Sequence, residues 1–307
     1  MNGQGSHAPY GVLVGATVEL PDGRTLAYDD VGDPDGAPAV YLHGTPDSRL
    51  GRPADEAATS AGVRLLAVDR PGFGGSTAAP GAGLRSLGDD LVRLLDAVSV
   101  ERAIVVGWSA GGLAALGAAP HPSLAPRLAG LGLIATLPPA EAYDDPEVLG
   151  ALGQGRRAFA EVGRDLPAAE VAAEVAPYLV PDPIDDAIAR AHVLEEAGDV
   201  GRAELARSVG AVDALAAGLR ASVEQGRGGL QSDLERQLER GLDLGAVRCP
   251  VRTFHGAHDE ISPPAVGIWL VARLPHAVLD LSPDAGHHLL FPRWRGILRA
   301  LRRDAAL

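Results

Sequence analysis

Ser109 stands in a five-residue pattern that is typical of a nucleophilic serine. The segment Gly107-Trp108-Ser109-Ala110-Gly111 follows a run of β-branched residues and leads directly into a helix-like stretch. A serine on a tight turn between a strand and a helix has a strained backbone, and its neighbours two positions away must be small. The pattern therefore predicts a hydroxyl that is presented for nucleophilic attack.

Two later segments carry the groups that would activate this serine. A serine hydroxyl needs a base to accept its proton, and the base needs a third group to hold its tautomer. The segments HGAHD (255–259) and DAGHH (284–288) each follow a strand-like run. Because parallel strands end along one edge of a sheet, both loops can reach Ser109. We predict that His287 is the base and that Asp259 orients it.

Alternatives to both partners stand nearby in the sequence. Glu260 adjoins Asp259, and Glu141 follows the sixth predicted strand, so either is an alternative acid. His288 adjoins His287, but it does not directly follow the glycine of its loop.

An oxyanion formed during acyl transfer needs two hydrogen-bond donors. One donor is predicted to be the backbone N–H of Ala110, at the start of the helix that follows Ser109. The other is predicted to be the backbone N–H of Thr45, in the loop His43-Gly-Thr-Pro46 after the third predicted strand.

Short apolar runs alternate with helical patterns over residues 1–136 and return in residues 241–307. This alternation predicts βαβ units and a mainly parallel sheet. A Pro-Asp-Gly turn at 21–23 predicts an initial antiparallel hairpin. The predicted strands cover residues 16–20, 24–30, 39–43, 64–69, 103–107, 128–136, 250–255 and 276–281.

Residues 137–240 differ in character from the rest of the chain, because strand-like runs vanish and Ala, Leu and Glu recur at helical spacing. This stretch is predicted to be a helical insertion in the sheet domain, with its many charges on solvated helix faces.

Composition excludes several classes of function. The formal net charge is −13, which disfavours a nucleic-acid surface, since such a surface must neutralise phosphates. All 27 basic residues are Arg, so a P-loop and a Schiff-base lysine are both excluded. Cys249 is the single cysteine, so a disulfide framework and a thiolate metal cluster are both excluded. It precedes a proline in an apolar run, which predicts that it is buried. We predict no cofactor and no metal.

The combined motifs resemble those of the α/β-hydrolases that have a single domain and a helical lid. The resemblance rests on HGTP (43–46), DRPGFGGS (69–76), the serine pentapeptide, GAHD (256–259) and GH (286–287). It implies a mostly parallel eight-stranded sheet flanked by helices, with residues 137–240 as the lid. It also implies a Ser-Asp-His triad in that chain order.

The resemblance implies a serine hydrolase that cleaves an ester, thioester or amide of a small molecule. Carbon–carbon bond hydrolases and acyltransferases share the triad and remain alternatives, as does a non-catalytic ligand-binding or scaffold protein. The predicted pocket residues are Trp108, His43, Tyr143 and Tyr178, and Phe159 and His192 are further lid candidates.

Residues 1–16 lack the basic residues and the apolar stretch of a secretory signal. No segment contains the 18 or more consecutive apolar residues of a membrane helix. We therefore expect a cytoplasmic protein without membrane or nucleic-acid partners, and a monomer or homodimer.

Overall fold

The computed structural model describes residues 13–307, and eight strands within this range form one sheet. The prediction that residues 1–16 carry no secretory signal falls mostly outside the described residues. The strands are β1 Leu13–Glu19, β2 Thr25–Gly32, β3 Ala37–Leu42, β4 Val63–Val68, β5 Ala103–Trp108, β6 Leu128–Ile134, β7 Val251–Gly256 and β8 Ala277–Ser282. Each predicted strand is confirmed, with shifts of a few residues at the ends.

The strands lie in the order β1-β2-β4-β3-β5-β6-β7-β8. β1 and β2 form the predicted antiparallel hairpin, and β2 also runs antiparallel to β4. All remaining neighbours are parallel, which confirms the predicted fold class. In this register Leu42 pairs with Gly107, and Trp108 pairs with Ile134. The loops that follow the parallel strands therefore leave one edge of the sheet.

Twelve α-helices lie among the described residues. They are α1 Asp55–Ala61, α2 Leu87–Ala97, α3 Ala110–Ala118, α4 Pro146–Ala151, α5 Gln154–Asp165, α6 Ala168–Leu179, α7 Asp186–Glu196, α8 Gly198–Ala206, α9 Ala211–Ala221, α10 Gly228–Gln237, α11 Pro264–Val271 and α12 Leu290–Asp304. The sequence pattern did not predict α1, which has only seven residues.

Helices cover both faces of the sheet, which explains the continuous apolar runs of its central strands. On β5, Val105 faces the apolar cluster that includes α2, α3 and α11. Ile104 and Val106 face the opposite cluster, which includes α1 and α12. Every residue of β5 and of β6 is buried. The sheet is thus a rigid base for the loops at its edge.

Seven of the helices, α4 to α10, lie between β6 and β7, and we call residues 137–240 the helical insertion. The insertion has an apolar cluster of its own, with members on α5, α6, α7, α9 and α10. Phe73, from the loop after β4, is fully buried in that cluster and joins the insertion to the sheet. Over the described residues, no helix has the length and apolar character needed to cross a membrane.

Candidate active site

Ser109 occupies the sharp turn between β5 and α3. Its backbone angles are φ 55° and ψ −121°, a conformation that L-residues rarely adopt. A Cβ atom at Gly107 would lie 2.3 Å from the carbonyl oxygen of Gly111, and one at Gly111 would lie 2.1 Å from that of Leu42. Both glycines are therefore required for the close approach of the backbone, as the pattern predicts.

His287 and Asp259 are hydrogen-bonded to each other. Nδ1 of His287 lies 2.9 Å from Oδ2 and 3.1 Å from Oδ1 of Asp259, and both side chains are buried. Oδ1 of Asp259 also accepts the backbone N–H groups of Ile261 and Ser262, at 2.9 and 2.8 Å. These bonds hold the carboxylate in place, and the carboxylate in turn favours the imidazole tautomer with its proton on Nδ1. Nε2 is then free to accept a proton.

Ser109 and His287 line the same cavity, and Asp259 lies behind His287. Among the hydrogen bonds of the described residues, none joins the hydroxyl of Ser109 to the imidazole of His287. Catalytic hydrogen bonds are often long in a free enzyme and shorten when substrate binds. The structure thus brings the three predicted residues to one edge of the sheet.

The alternative partners occupy other environments. Glu260 lines the cavity but makes no hydrogen bond to His287. Glu141 instead accepts the backbone N–H groups of Gly241 and Leu242. Burial, together with the charge of His287, lowers the pKa of His288 to about 3, so its imidazole is a weak proton acceptor.

The loop of residues 43–46, which carries the predicted donor Thr45 and is called the oxyanion loop, lies directly against Ser109. A Cβ atom at Gly44 would be 3.3 Å from Cβ of Ser109. Thr45 lines the cavity, and Ala110 is the first residue of α3. The N–H groups at a helix N-terminus are oriented toward negative charge, so this position suits an oxyanion.

The side chain of Thr45 is engaged by two buried charged residues that the sequence analysis did not single out. Its hydroxyl donates to the carboxylate of Asp233 and accepts from Nη2 of Arg70 at 2.5 Å. Arg70 also donates to the carbonyl oxygens of His43 and Gly44, at 3.0 and 2.9 Å. This network holds the oxyanion loop from behind, and it links that loop to α10. Arg70 belongs to the DRPGFGGS motif, whereas Asp233 has no sequence signal.

The cavity beside Ser109 has a volume of about 570 Å³ and is bounded by the sheet edge and the helical insertion. Four of the residues named as pocket candidates in the sequence analysis line it, namely Trp108, Tyr178, Phe159 and His192. The indole N–H of Trp108 donates to the carbonyl oxygen of His287 at 3.0 Å. This side chain thus also supports the loop of residues 284–288, which holds the predicted base and is called the base loop. Arg156, Gln237 and His288 line the cavity without having been predicted.

The structure does not place His43 and Tyr143 on the cavity. His43 is fully buried beneath the oxyanion loop, where Nδ1 lies 2.8 Å from the carbonyl oxygen of Gly44 and Nε2 accepts the N–H of Arg70. Burial and the charge of Arg70 hold the pKa of His43 well below its usual value. Tyr143 is buried in the insertion with Leu152 and Ala160. Both side chains therefore pack the structure around the site.

The described residues contain no group of three or more His, Cys, Asp or Glu side chains arranged to hold a metal ion. Cys249 is buried, and burial raises the pKa of its thiol to about 11, so it is a poor nucleophile.

Comparison with known proteins identifies the family to which this fold belongs. A family model described as alpha/beta hydrolase fold matches residues 38–293. The chain belongs to the α/β-hydrolase fold family, as its sequence motifs predict.

Two curated relatives are named pimeloyl-[acyl-carrier protein] methyl ester esterase. The relative from Chromobacterium violaceum is 32% identical over 87% of this chain and 93% of its own length. The relative from Aromatoleum aromaticum is 33% identical over 74% of this chain and 81% of its own length. Among solved structures, the enol-lactonase from Burkholderia xenovorans superposes with a TM-score of 0.63 at 20% identity, over 95% of this chain and all of the other.

Proposed function

We propose that this protein is a serine hydrolase that cleaves a carboxylic ester, or a related thioester or amide, of a small molecule. The observation that carries the proposal is the hydrogen-bonded pair of Asp259 and His287 beside the strained Ser109, at one cavity. An activated serine explains why the strained backbone of Ser109, the hydrogen-bonded pair of Asp259 and His287, and the cavity occur together.

The reaction begins with attack of the Ser109 hydroxyl oxygen on the substrate carbonyl carbon. His287 Nε2 accepts the hydroxyl proton, and Asp259 stabilises the resulting imidazolium. The carbonyl oxygen becomes an oxyanion that accepts the N–H groups of Thr45 and Ala110. The carbon–oxygen, carbon–sulfur or carbon–nitrogen bond then breaks, and the leaving group takes the proton from His287.

The acyl group is left as an ester on Ser109. A water molecule then attacks the acyl carbon and gives a proton to His287. The acyl–serine bond breaks, the serine oxygen takes that proton back, and the carboxylic acid leaves. The imidazole thus acts first as a base and then as an acid in each half of the reaction.

A carboxylic ester is the favoured bond, because both relatives described above carry names of methyl ester esterases. The cavity volume of about 570 Å³ lies in the range that accommodates a small molecule. Residues 137–240 would act as the lid that shapes this cavity, since α5, α6, α7, α9 and α10 all contribute to its wall.

The test is covalent labelling with a fluorophosphonate, read by intact mass. In this reaction a bond forms from the serine oxygen to phosphorus, fluoride leaves, and the base takes the hydroxyl proton. We expect one adduct on the wild type and on Ser60→Ala, which removes an exposed hydroxyl on α1. We expect none on Ser109→Ala. A wild-type protein that stays unlabelled, or an adduct that persists in Ser109→Ala, contradicts the proposal.

A further inference from the structure

Glu204, on α8 of the helical insertion, contacts the loop that carries His287. Its Oε1 accepts the backbone N–H of Gly286 at 2.8 Å, and its Oε2 accepts the backbone N–H of His288 at 3.0 Å. The residue is only 1% exposed. One buried carboxylate therefore binds the residues on both sides of His287.

Helix α8 packs closely against this loop, and the packing holds the Glu204 carboxylate in position. A Cβ atom at Gly201 would be 2.8 Å from Nδ1 of His288, and one at Gly286 would be 3.0 Å from Cγ1 of Val200. Leu205, next to Glu204, is buried in the same apolar cluster as Leu289. The helix is thus anchored on the sheet side of the molecule, with Glu204 directed at the loop.

The charge of Glu204 fits its two partners. Each carboxylate oxygen accepts one hydrogen bond, so a single side chain satisfies both backbone N–H groups. An ionised carboxylate carries no hydrogen that would repel these donors. Burial raises the pKa of Glu204, and the N–H groups of Gly286 and His288 oppose that shift. Hydrogen bonds to a charged acceptor are stronger than neutral ones, so the pair of bonds restrains the loop backbone.

We propose that Glu204 is a positioning residue that holds the backbone on both sides of His287 and so keeps the imidazole between Asp259 and Ser109. This inference rests on the proposed function. Because Glu204 belongs to the insertion, the base is correctly placed only when α8 is docked on the sheet. Catalytic competence then depends on the docked state of the insertion as well as on the triad.

The test compares Glu204→Ala and Glu204→Gln with the wild type and with a matched control, Glu195→Gln. Glu195 is an exposed acid on α7, and among residues 13–307 its side chain has no hydrogen-bond partner. Glu204→Gln keeps the shape and one acceptor oxygen but places an NH₂ group against one backbone N–H. Two readouts are used: the rate of fluorophosphonate labelling, and kcat and KM with p-nitrophenyl acetate, both below the unfolding transition of every variant.

We expect labelling and kcat to fall on the order of 10²-fold in Glu204→Ala, since small displacements of a catalytic group have costs of this size. A smaller loss of about tenfold is expected in Glu204→Gln, with KM changed less than kcat in both variants, because Glu204 itself does not line the cavity. Glu195→Gln is expected to match the wild type. Amide exchange at positions 286 and 288 should accelerate in the Glu204 variants only.

The outcomes separate this inference from the function on which it rests. If folded Glu204→Ala and Glu204→Gln are labelled as fast as the wild type, the positioning role is overturned and the hydrolase assignment stays in place. An equal loss in Glu195→Gln also overturns it. A wild type that fluorophosphonate does not label overturns both, whatever the variants do. If Glu204→Ala fails to fold, the folded Glu204→Gln and its amide exchange decide the matter.

Discussion

Asp233, on α10 of the helical insertion, forms an ion pair with Arg70, which follows β4 of the sheet. Side-chain exposure is 4% for Asp233 and 3% for Arg70, so both charges are removed from water. Burial raises the pKa of Asp233, but the charge and hydrogen bonds of Arg70 outweigh that effect and hold it below its usual value. The pair connects the insertion to the oxyanion loop, just as Glu204 connects it to the base loop.

Removing both members of this pair should cost less stability than the two single removals added together. Asp233→Ala leaves the guanidinium of Arg70 buried without a counter-charge, and we expect a loss of about 3–5 kcal/mol in the free energy of unfolding. The double variant with Arg70→Met removes both charges and should lose less than the sum of the single losses. Urea unfolding of the four proteins measures the coupling, and strictly additive losses would show that the pair contributes nothing as a unit.

Asp259→Asn should reduce kcat by about 10⁴-fold, because an amide in this position no longer enforces the tautomer with a proton on Nδ1. The matched control is Asp284→Asn, an exposed acid in the base loop itself, for which we expect activity near that of the wild type. Steady-state hydrolysis of p-nitrophenyl acetate provides the measurement. A loss below about tenfold in Asp259→Asn would indicate that another group orients the base.

Gly111→Ala and Gly296→Ala should change stability in opposite directions. A Cβ atom at Gly111 would lie 2.1 Å from the carbonyl oxygen of Leu42, and a backbone atom cannot move aside cheaply, so we expect a loss of about 1–3 kcal/mol or more. Gly296 lies in α12, and apart from the adjoining helix backbone no atom of the described residues comes within 4 Å of the added methyl group. Alanine there should stabilise the helix by about 0.5–1 kcal/mol. Thermal unfolding of both variants tests this prediction. A change in stability of the same sign in both variants would contradict it.

Asp47→Asn should stabilise the protein at neutral pH and lose that advantage in acid. Asp47 is buried, and burial raises the pKa of its carboxyl well above the usual value despite a hydrogen bond from the N–H of Ser48. A carboxyl whose pKa is raised by folding destabilises the fold as the pH rises. The loss begins near the pKa of 3.8 in the unfolded chain and is complete above the higher pKa in the folded protein. Asparagine removes this penalty.

The measurement for Asp47→Asn is the free energy of unfolding against pH, with Asp35→Asn as a control at an exposed acid. The difference between Asp47→Asn and the wild type should grow as pH rises above about 4 and vanish below it. A difference that is constant with pH would show that Asp47 keeps the same protonation state in the folded and unfolded chains.

Local patterns in the sequence determined the sheet and the turn that carries Ser109. Apolar runs of β-branched residues predict strands because such side chains suit a sheet that is buried on both faces, and all eight strands formed where they were predicted. The glycines around Ser109 predict the turn because close backbone approach leaves no space for a Cβ atom. Chain order then predicts that the loops holding Asp259 and His287 leave the same sheet edge.

Tertiary structure alone decided which charged residues of the insertion support the site. Glu204 and Asp233 stand among many acids on amphipathic helices, and the helical period does not distinguish a solvated carboxylate from one aimed at a neighbouring loop. It also decided that His43 packs beneath the oxyanion loop and not on the cavity. The contacts of Glu204 with Gly286 and His288, and of Asp233 with Arg70, join residues more than 80 positions apart, so they depend on how the helices dock on the sheet and leave no local pattern in the chain.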